Sequence, residues 1–172
     1  MQLQQPPLTY GLVPPAIAAA EGGLAFLQAV IDRVHPAPPF AEATGILMTS
    51  AEKGRVVFEA QPSGKFLNPL GSVHGGWVST LLDSAMGCAV HSTLLPGHGY
   101  TTVDMTVTFV RAVRPDSGPL TCEGKIVHAG GRIATAEGRI HDAQGRLIAH
   151  GTETCMILRA PASATAPEGE AR

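Results

Sequence analysis

Charge is scarce in this chain. Asp, Glu, Lys and Arg make up 15% of its 172 residues, and twelve basic against fourteen acidic residues leave a formal charge of -2. No basic stripe runs along it, which argues against nucleic acid as a partner, and no Lys/Arg block marks it for an anionic membrane. Nothing in it reads as an attached DNA-binding segment. Cysteine is also sparse: Cys88, Cys122 and Cys155 form an odd set without metal-ligand spacing. That pattern predicts a reduced, cytoplasmic protein. The N-terminal "MQLQQPPLTYGLVPPAIAAA" lacks the positive start of a secretory signal. The longest apolar run, within Asn68 to Leu95, contains Ser, Thr, His and Asp, too polar for a membrane span.

Several catalytic signatures are missing too. There is no G-x-S-x-G elbow, no H-E-x-x-H and no paired C-x-x-C. "GPLTCEGK" has one residue too many between its glycines for a phosphate loop, and Ile126 follows its lysine. The Gly-Gly pairs at Gly22, Gly75 and Gly130 make no dinucleotide fingerprint.

What is there is regular pattern. Leu24, Leu27, Ile31 and Val34 recur at helical spacing, so a short amphipathic helix is expected after a loose stretch to about residue 21. Three prolines between His35 and Phe40 break it. "ATGILMTSAEKGRVVFEAQP" reads as two strands around a Lys53-Gly54 turn. A long helix follows, roughly Gly75 to Leu94, apolar or small on nearly every side. Four strands then succeed one another through tight turns. In the first, Val103, Met105, Val107 and Phe109 alternate with Thr102, Asp104, Thr106 and Thr108, which predicts one buried and one polar face. A later one puts the small residues Ala134, Ala136 and Gly138 on one side with Ile140. Hairpin-linked strands form an antiparallel sheet, and a helix apolar all round must be covered all round. The expected architecture is α+β, a long central helix wrapped by a curled antiparallel β-sheet.

Two features of the long helix point to chemistry. His74-Gly75-Gly76 opens it. The first N–H groups of a helix lack internal partners and carry partial positive charge, and a glycine there lets a ligand oxygen approach. The pair therefore makes either an oxyanion site or simply a tight turn. Asp83 is the helix's one formal charge. A carboxylate in apolar surroundings is costly unless paired or functional, so it serves chemistry or bonds to Ser79, Ser84 or Asn68. Asn68, in a Pro-Gly loop ahead of the helix, caps it or binds substrate. His74 can equally be a hydrogen-bonding prop.

"NPLGSVHGG" with Asp83 behind it resembles the signature of the hotdog-fold acyl-CoA thioesterases of the PaaI (phenylacetic-acid-degradation) type. "TTVDMTVTFVRAVRPDSGPL" and "GKIVHAGGRIATAEGRIHDAQGRLIAHGT" are similar to the strands that follow in that family. The likeness covers roughly residues 42 to 158. It implies a hotdog domain over 41–160, an N-terminal extension with a short helix over 1–40, and a disordered tail over 161–172. It further implies that the Gly75 N–H polarises a thioester carbonyl with Asn68 assisting, and that His74 orients the loop or the thioester. Asp83 would act as general base or as nucleophile, and a Thr101 hydroxyl would help to position water. CoA would bind along Arg111, Ala112 and Val113 and along Gly130, Gly131 and Arg132. The expectation is an acyl-CoA hydrolase needing no cofactor and no metal, with a hydratase/dehydratase or a non-catalytic acyl-CoA-binding protein as alternatives. Trp77, Leu81 and Met86 are expected to wall the acyl pocket.

Geometry adds a constraint. Gly75 and Asp83 lie eight residues apart on one helix, about 12 Å along its axis. One thioester carbon cannot touch both, so if both act, two subunits related by a two-fold axis must supply them, their helices running antiparallel. The family resemblance likewise implies a homodimer or a dimer of dimers.

Overall fold

In a computed structural model describing residues 6–159, the last three strands of the chain form an antiparallel meander. β1 (Ile46–Glu52) and β2 (Arg55–Ala60) pair around the Lys53-Gly54 turn, and β3 (His98–Phe109), β4 (Leu120–Ala129), β5 (Ile133–Asp142) and β6 (Leu147–Arg159) follow. One six-stranded sheet results, in the order β1-β2-β4-β5-β6-β3, with every pairing antiparallel. It is not closed: β1 and β3 are its edges.

The long helix, α4 (Gly75–His91), lies across the sheet. The small-residue face anticipated on β5 is where it sits. Gly124, Gly138 and Gly151 stand in register across β4, β5 and β6. A Cβ on Gly124 would fall 2.1 Å from the Ala85 carbonyl oxygen, and one on Gly138 2.9 Å from Met86 Cγ. This glycine row lets helix and sheet backbones approach. Leu81, Leu82, Ala85, Met86, Ala89 and Val90 are wholly buried against it.

Covering is incomplete, contrary to the expectation of a helix enclosed on all sides. Thr80, Asp83, Ser84 and Cys88 are only partly buried. Their spacing of three and four residues makes one stripe along α4, and it faces the side the open sheet leaves uncovered. The helix also ends at His91, three residues before the expected Leu94, with Ser92 satisfying the end by donating its hydroxyl to Ala89 O.

β3 departs from strict alternation. Its pairing with β6 slips between Thr102 and Asp104. A bulge inserts one unpaired residue and resets which side chains face inward. Met105 and Val107 still pack on the core, but so does Tyr100, and Thr102 points toward α4. Val103 is 61% exposed and Phe109 54%, so two residues expected inside lie outside.

Ahead of the sheet stand three short helices rather than a loose stretch and one helix: α1 (Pro15–Ala20), α2 (Gly23–Ile31) and α3 (Pro39–Thr44). α2 is the helix that the apolar spacing predicted, ending at Ile31. The prolines after it stop α2 but also start α3, because proline in a first turn lacks only an N–H that would be unpaired anyway. α3 spans the expected boundary at residue 40. α2 packs on β1 and α4, and α3 on β1. The expected disordered tail, 161–172, lies outside the described residues. No described helix is long and apolar enough to cross a membrane.

Candidate active site

The start of α4 is prepared by the loop before it. Asn68 Oδ1 accepts from Leu70 N–H and Ser72 N–H, its Nδ2 donates to Ser72 Oγ at 2.7 Å, and its main chain pairs with Ser72 and Gly71. The left-handed Gly71 (φ 82°) completes this closed turn. Asn68 therefore shapes the loop and does not cap the helix. His74 is the N-cap. Its Nδ1 accepts from Gly76 N–H at 2.9 Å, and its carbonyl accepts from Trp77 and Val78. Gly75 N–H finds no acceptor among the described residues. It is left pointing out of a helix N-terminus where the peptide dipoles favour a negative oxygen. The Phe109 ring lies over Gly75, where an added Cβ would sit 3.3 Å from Cζ.

Asp83 stands two turns further along. It bonds to neither Ser79, Ser84 nor Asn68. Thr102 Oγ1 lies 3.3 Å from Asp83 Oδ1 and 2.7 Å from Glu153 Oε1. The hydroxyl brought to this carboxylate is thus Thr102, while Thr101, the residue before it, projects from the other face of β3. The β3 bulge is responsible, since alternation counted back from Met105 would have turned Thr101 inward. Glu153, on β6, is 1% exposed and escaped notice in the sequence. "TETCMIL" reads as ordinary strand, and only the register places its acid under α4. Burial, reinforced by the charge on Asp83, pushes the Glu153 carboxyl up against the opposing bonds from Cys155 and Thr102.

Cys88 shares the Asp83 stripe. Burial, with the charges of Asp83 and Glu153, pushes its thiol up to about 12. It is a protonated packing group at neutral pH, not a nucleophile.

Beside this stripe lies a cavity of about 660 Å³. Phe26, Leu27, Val30 and Ile31 of α2 form one wall, Ile46 and Met48 of β1 another, and Asp83, Ser84 and Cys88 the α4 side. The walls come from the N-terminal helices and not from Trp77, Leu81 and Met86. Those three are buried on the other faces of the helix, Trp77 stacked on Phe66 with its indole N–H donated to Thr44 O.

The two expected CoA segments are not neighbours. Arg111 and Ala112 are exposed just past the end of β3, and the buried Val113 accepts from Val73 N–H beside the α4 start. Gly130, Gly131 and Arg132 form the β4–β5 turn. It is tied to the far end of β6, where Arg159 donates to Gly131 O and Ile157 N–H to Arg132 O. Ile133 pairs with Met156, which pairs with Thr101, whereas Phe109 pairs with Ala149. Thr101 to Phe109 is eight strand residues, about 26 Å at ~3.3 Å each. Asp83 belongs to the Thr102 end and Gly75 to the Phe109 end, so the structure, like the sequence, keeps these two apart in one chain.

Known proteins resemble this chain. The family model described as the thioesterase superfamily matches residues 70–149. Acyl-coenzyme A thioesterase 13 from Homo sapiens is 32% identical over 85 residues, which are 49% of this chain and 60% of that protein, and the Pongo abelii protein gives the same figures. The chain thus spans 60% of the length of these curated relatives. A phenylacetic acid degradation-related protein of Ralstonia eutropha JMP134 superposes with a TM-score of 0.69 at 25% identity, over 76% of this chain and 98% of that one. The hypothetical thioesterase protein of Streptococcus pneumoniae TIGR4 solved with coenzyme A gives 0.61 at 26% identity, over 68% and 88%.

Proposed function

We propose that the chain, whose residues 70–149 match the thioesterase superfamily model and whose fold is the hotdog, hydrolyses acyl-CoA thioesters to a free acid and CoA. The observation that carries the reading is the carboxylate of Asp83, the one acidic group lining a mostly apolar cavity whose rim also holds Arg33. An acyl chain or aromatic acyl group fits such walls, and the carboxylate beside it is where water needs activating. The apolar lining favours an aryl- or medium-chain acyl group over a polar one.

In this reading the thioester oxygen docks on Gly75 N–H, kept free because His74 engages its neighbours. Asn68 holds the loop that sets the angle of approach. Water adds to the carbonyl carbon and gives its proton to Asp83, and the C–S bond breaks as the CoA thiolate takes up a proton. In the nucleophilic variant Asp83 itself attacks, forming a mixed anhydride that water then opens. Single turnover in ¹⁸O-water separates them, since only the anhydride route can leave label in Asp83. The further hydroxyl proposed to help place the water is Thr102 rather than the expected Thr101, whose side chain projects from the opposite face of β3.

The separation of Gly75 from Asp83 supports sites shared between subunits. A two-fold axis beside the exposed β3 edge brings the Gly75 end of one subunit to the Asp83 end of the other. The same operation brings Arg111, Ala112 and Val113 toward the partner's Gly130-Gly131-Arg132 turn, which one chain keeps apart. A single CoA then meets both segments. The homologue solved with coenzyme A supports CoA as the thiol.

The test is a panel of acyl-CoA thioesters followed by free-thiol release, with EDTA present and absent. Turnover on aryl- or medium-chain esters is expected, unaffected by EDTA, with Asp83→Ala lowering kcat by at least about 10² while circular dichroism is unchanged. Near-normal turnover by Asp83→Ala would remove the mechanism, and no thiol release from any ester would remove the function.

A further inference from the structure

We propose that Glu153 is a positioning residue for Asp83: as a neutral acid inside the fold it donates a hydrogen bond to Thr102 Oγ1, committing the threonine proton to the Asp83 carboxylate. The proposal rests on the thioesterase reading for its catalytic meaning, and on the proton count for its chemistry.

Thr102 Oγ1 is within bonding distance of two carboxyl groups, Glu153 Oε1 at 2.7 Å and Asp83 Oδ1 at 3.3 Å. A hydroxyl has one proton and two lone pairs. It cannot donate to both acids. If both were ionised, one of the two contacts would set oxygen lone pairs against each other. Among the described residues no Lys, Arg or His pairs with either acid. Glu153 Oε2 is buried and has no hydrogen-bond partner among the described residues. A charge spread onto a bare interior oxygen costs several kcal/mol, so burial favours the protonated form.

One proton on Glu153 resolves the contact. The chain then runs from Glu153 O–H to Thr102 Oγ1, and from Thr102 O–H to Asp83 Oδ1. Each link has one donor and one acceptor. Asp83, the more solvent-accessible of the two acids, keeps the negative charge that a base or nucleophile needs.

The other titratable neighbours do not disturb this count. α4 contributes Cys88, β3 contributes Tyr100, and β6 contributes Cys155, whose Sγ lies 3.1 Å from Glu153 Oε1. Burial raises all three, so they stay neutral through the working range. β5 presents only Ala136 in register with Glu153.

The experiment compares pH–rate profiles of the wild type, Glu153→Gln and Glu153→Met. Methionine removes the donor, so the Thr102 hydroxyl is no longer held toward Asp83, and the acid limb should move up by as much as about one pH unit, the worth of one ordinary hydrogen bond. Glutamine has an amide that still donates and should restore the wild-type limb. Infrared difference spectra supply a readout independent of turnover. The wild type at pH 7 should show the carbonyl band of a buried protonated carboxyl, present in Asp83→Ala and absent in Glu153→Gln. An acid limb that moves down in both Glu153 variants would mean that Glu153 is ionised and repels Asp83, overturning the proposal. Absence of the band would do the same. A chain inactive on every thioester would defeat the proposed function while the band still reports on Glu153.

Discussion

Asp83 and Cys88 sit on the same stripe of α4 and look into the same cavity, yet physical chemistry gives them opposite characters. Asp83 has a hydroxyl at its side and access to solvent. Cys88 is surrounded by apolar walls and two acids, which hold its thiol near 12. Thiolate, not thiol, attacks electrophiles. Alkylation of Cys88 by iodoacetamide at pH 8 should therefore run at least about 10²-fold slower than that of an unperturbed cysteine. The rate can be read by peptide mass spectrometry. Alkylation at an ordinary rate would show a thiol far more acidic than its surroundings allow. Cys88→Ala should accordingly lower the melting temperature more than it lowers turnover.

Among the elements, α2 has the most direct bearing on substrate choice. Two of its turns, from Phe26 to Ile31, wall the cavity opposite Asp83. Their presence turns an uncovered side of the hotdog helix into a mostly apolar cleft. If acyl groups occupy it, narrowing it should discriminate by length. Val30→Trp extends a large ring into the volume. Each methylene denied burial loses about 0.8 kcal/mol. Excluding the outer methylenes of an octanoyl chain should thus lower kcat/KM for octanoyl-CoA by about tenfold or more, with acetyl-CoA little changed. Equal loss on both esters would place the acyl group elsewhere. The sheet contributes rigidity beneath, because its row of Gly124, Gly138 and Gly151 seats α4 so closely that no side chain can be added under Ala85.

At the scale of the whole molecule, the open sheet is the governing fact. β3 ends it with exposed Val103, Phe109 and Val110 and no covering element among the described residues. An edge of that kind invites another strand, and the separation of Gly75 from Asp83 calls for another chain. Mixing Asp83→Ala chains with Asn68→Ala chains, each inactive alone, should restore activity. Random pairing puts one native site in half of the dimers, so about a quarter of the wild-type rate is expected. Light scattering on the same samples checks the oligomer. A fully active monomer, or no recovery after subunit exchange, would rule out shared sites.

The sequence by itself determined the elements and the ends of the site. Helical and alternating periodicities located α2, α4 and all six strands, because burial of one face imposes a period that survives without the fold. The Gly-Gly start of α4 and the isolated Asp83 were equally visible, since a helix N-terminus and a lone charge are local facts. Their 12 Å separation needed only the helical rise. Tertiary structure decided what depends on register and on contacts distant in sequence. A single extra residue in β3 chose Thr102 over Thr101 and sent Val103 outward, and nothing in "TTVDMTVTFV" marks a bulge, which exists only as a mismatch with β6. Glu153 meets Thr102 solely because β6 pairs with β3 beneath α4. Trp77, Leu81 and Met86 turned inward and the cavity passed to α2 because an open sheet covers only some faces of an apolar helix, and which faces it covers is settled by packing, not by composition.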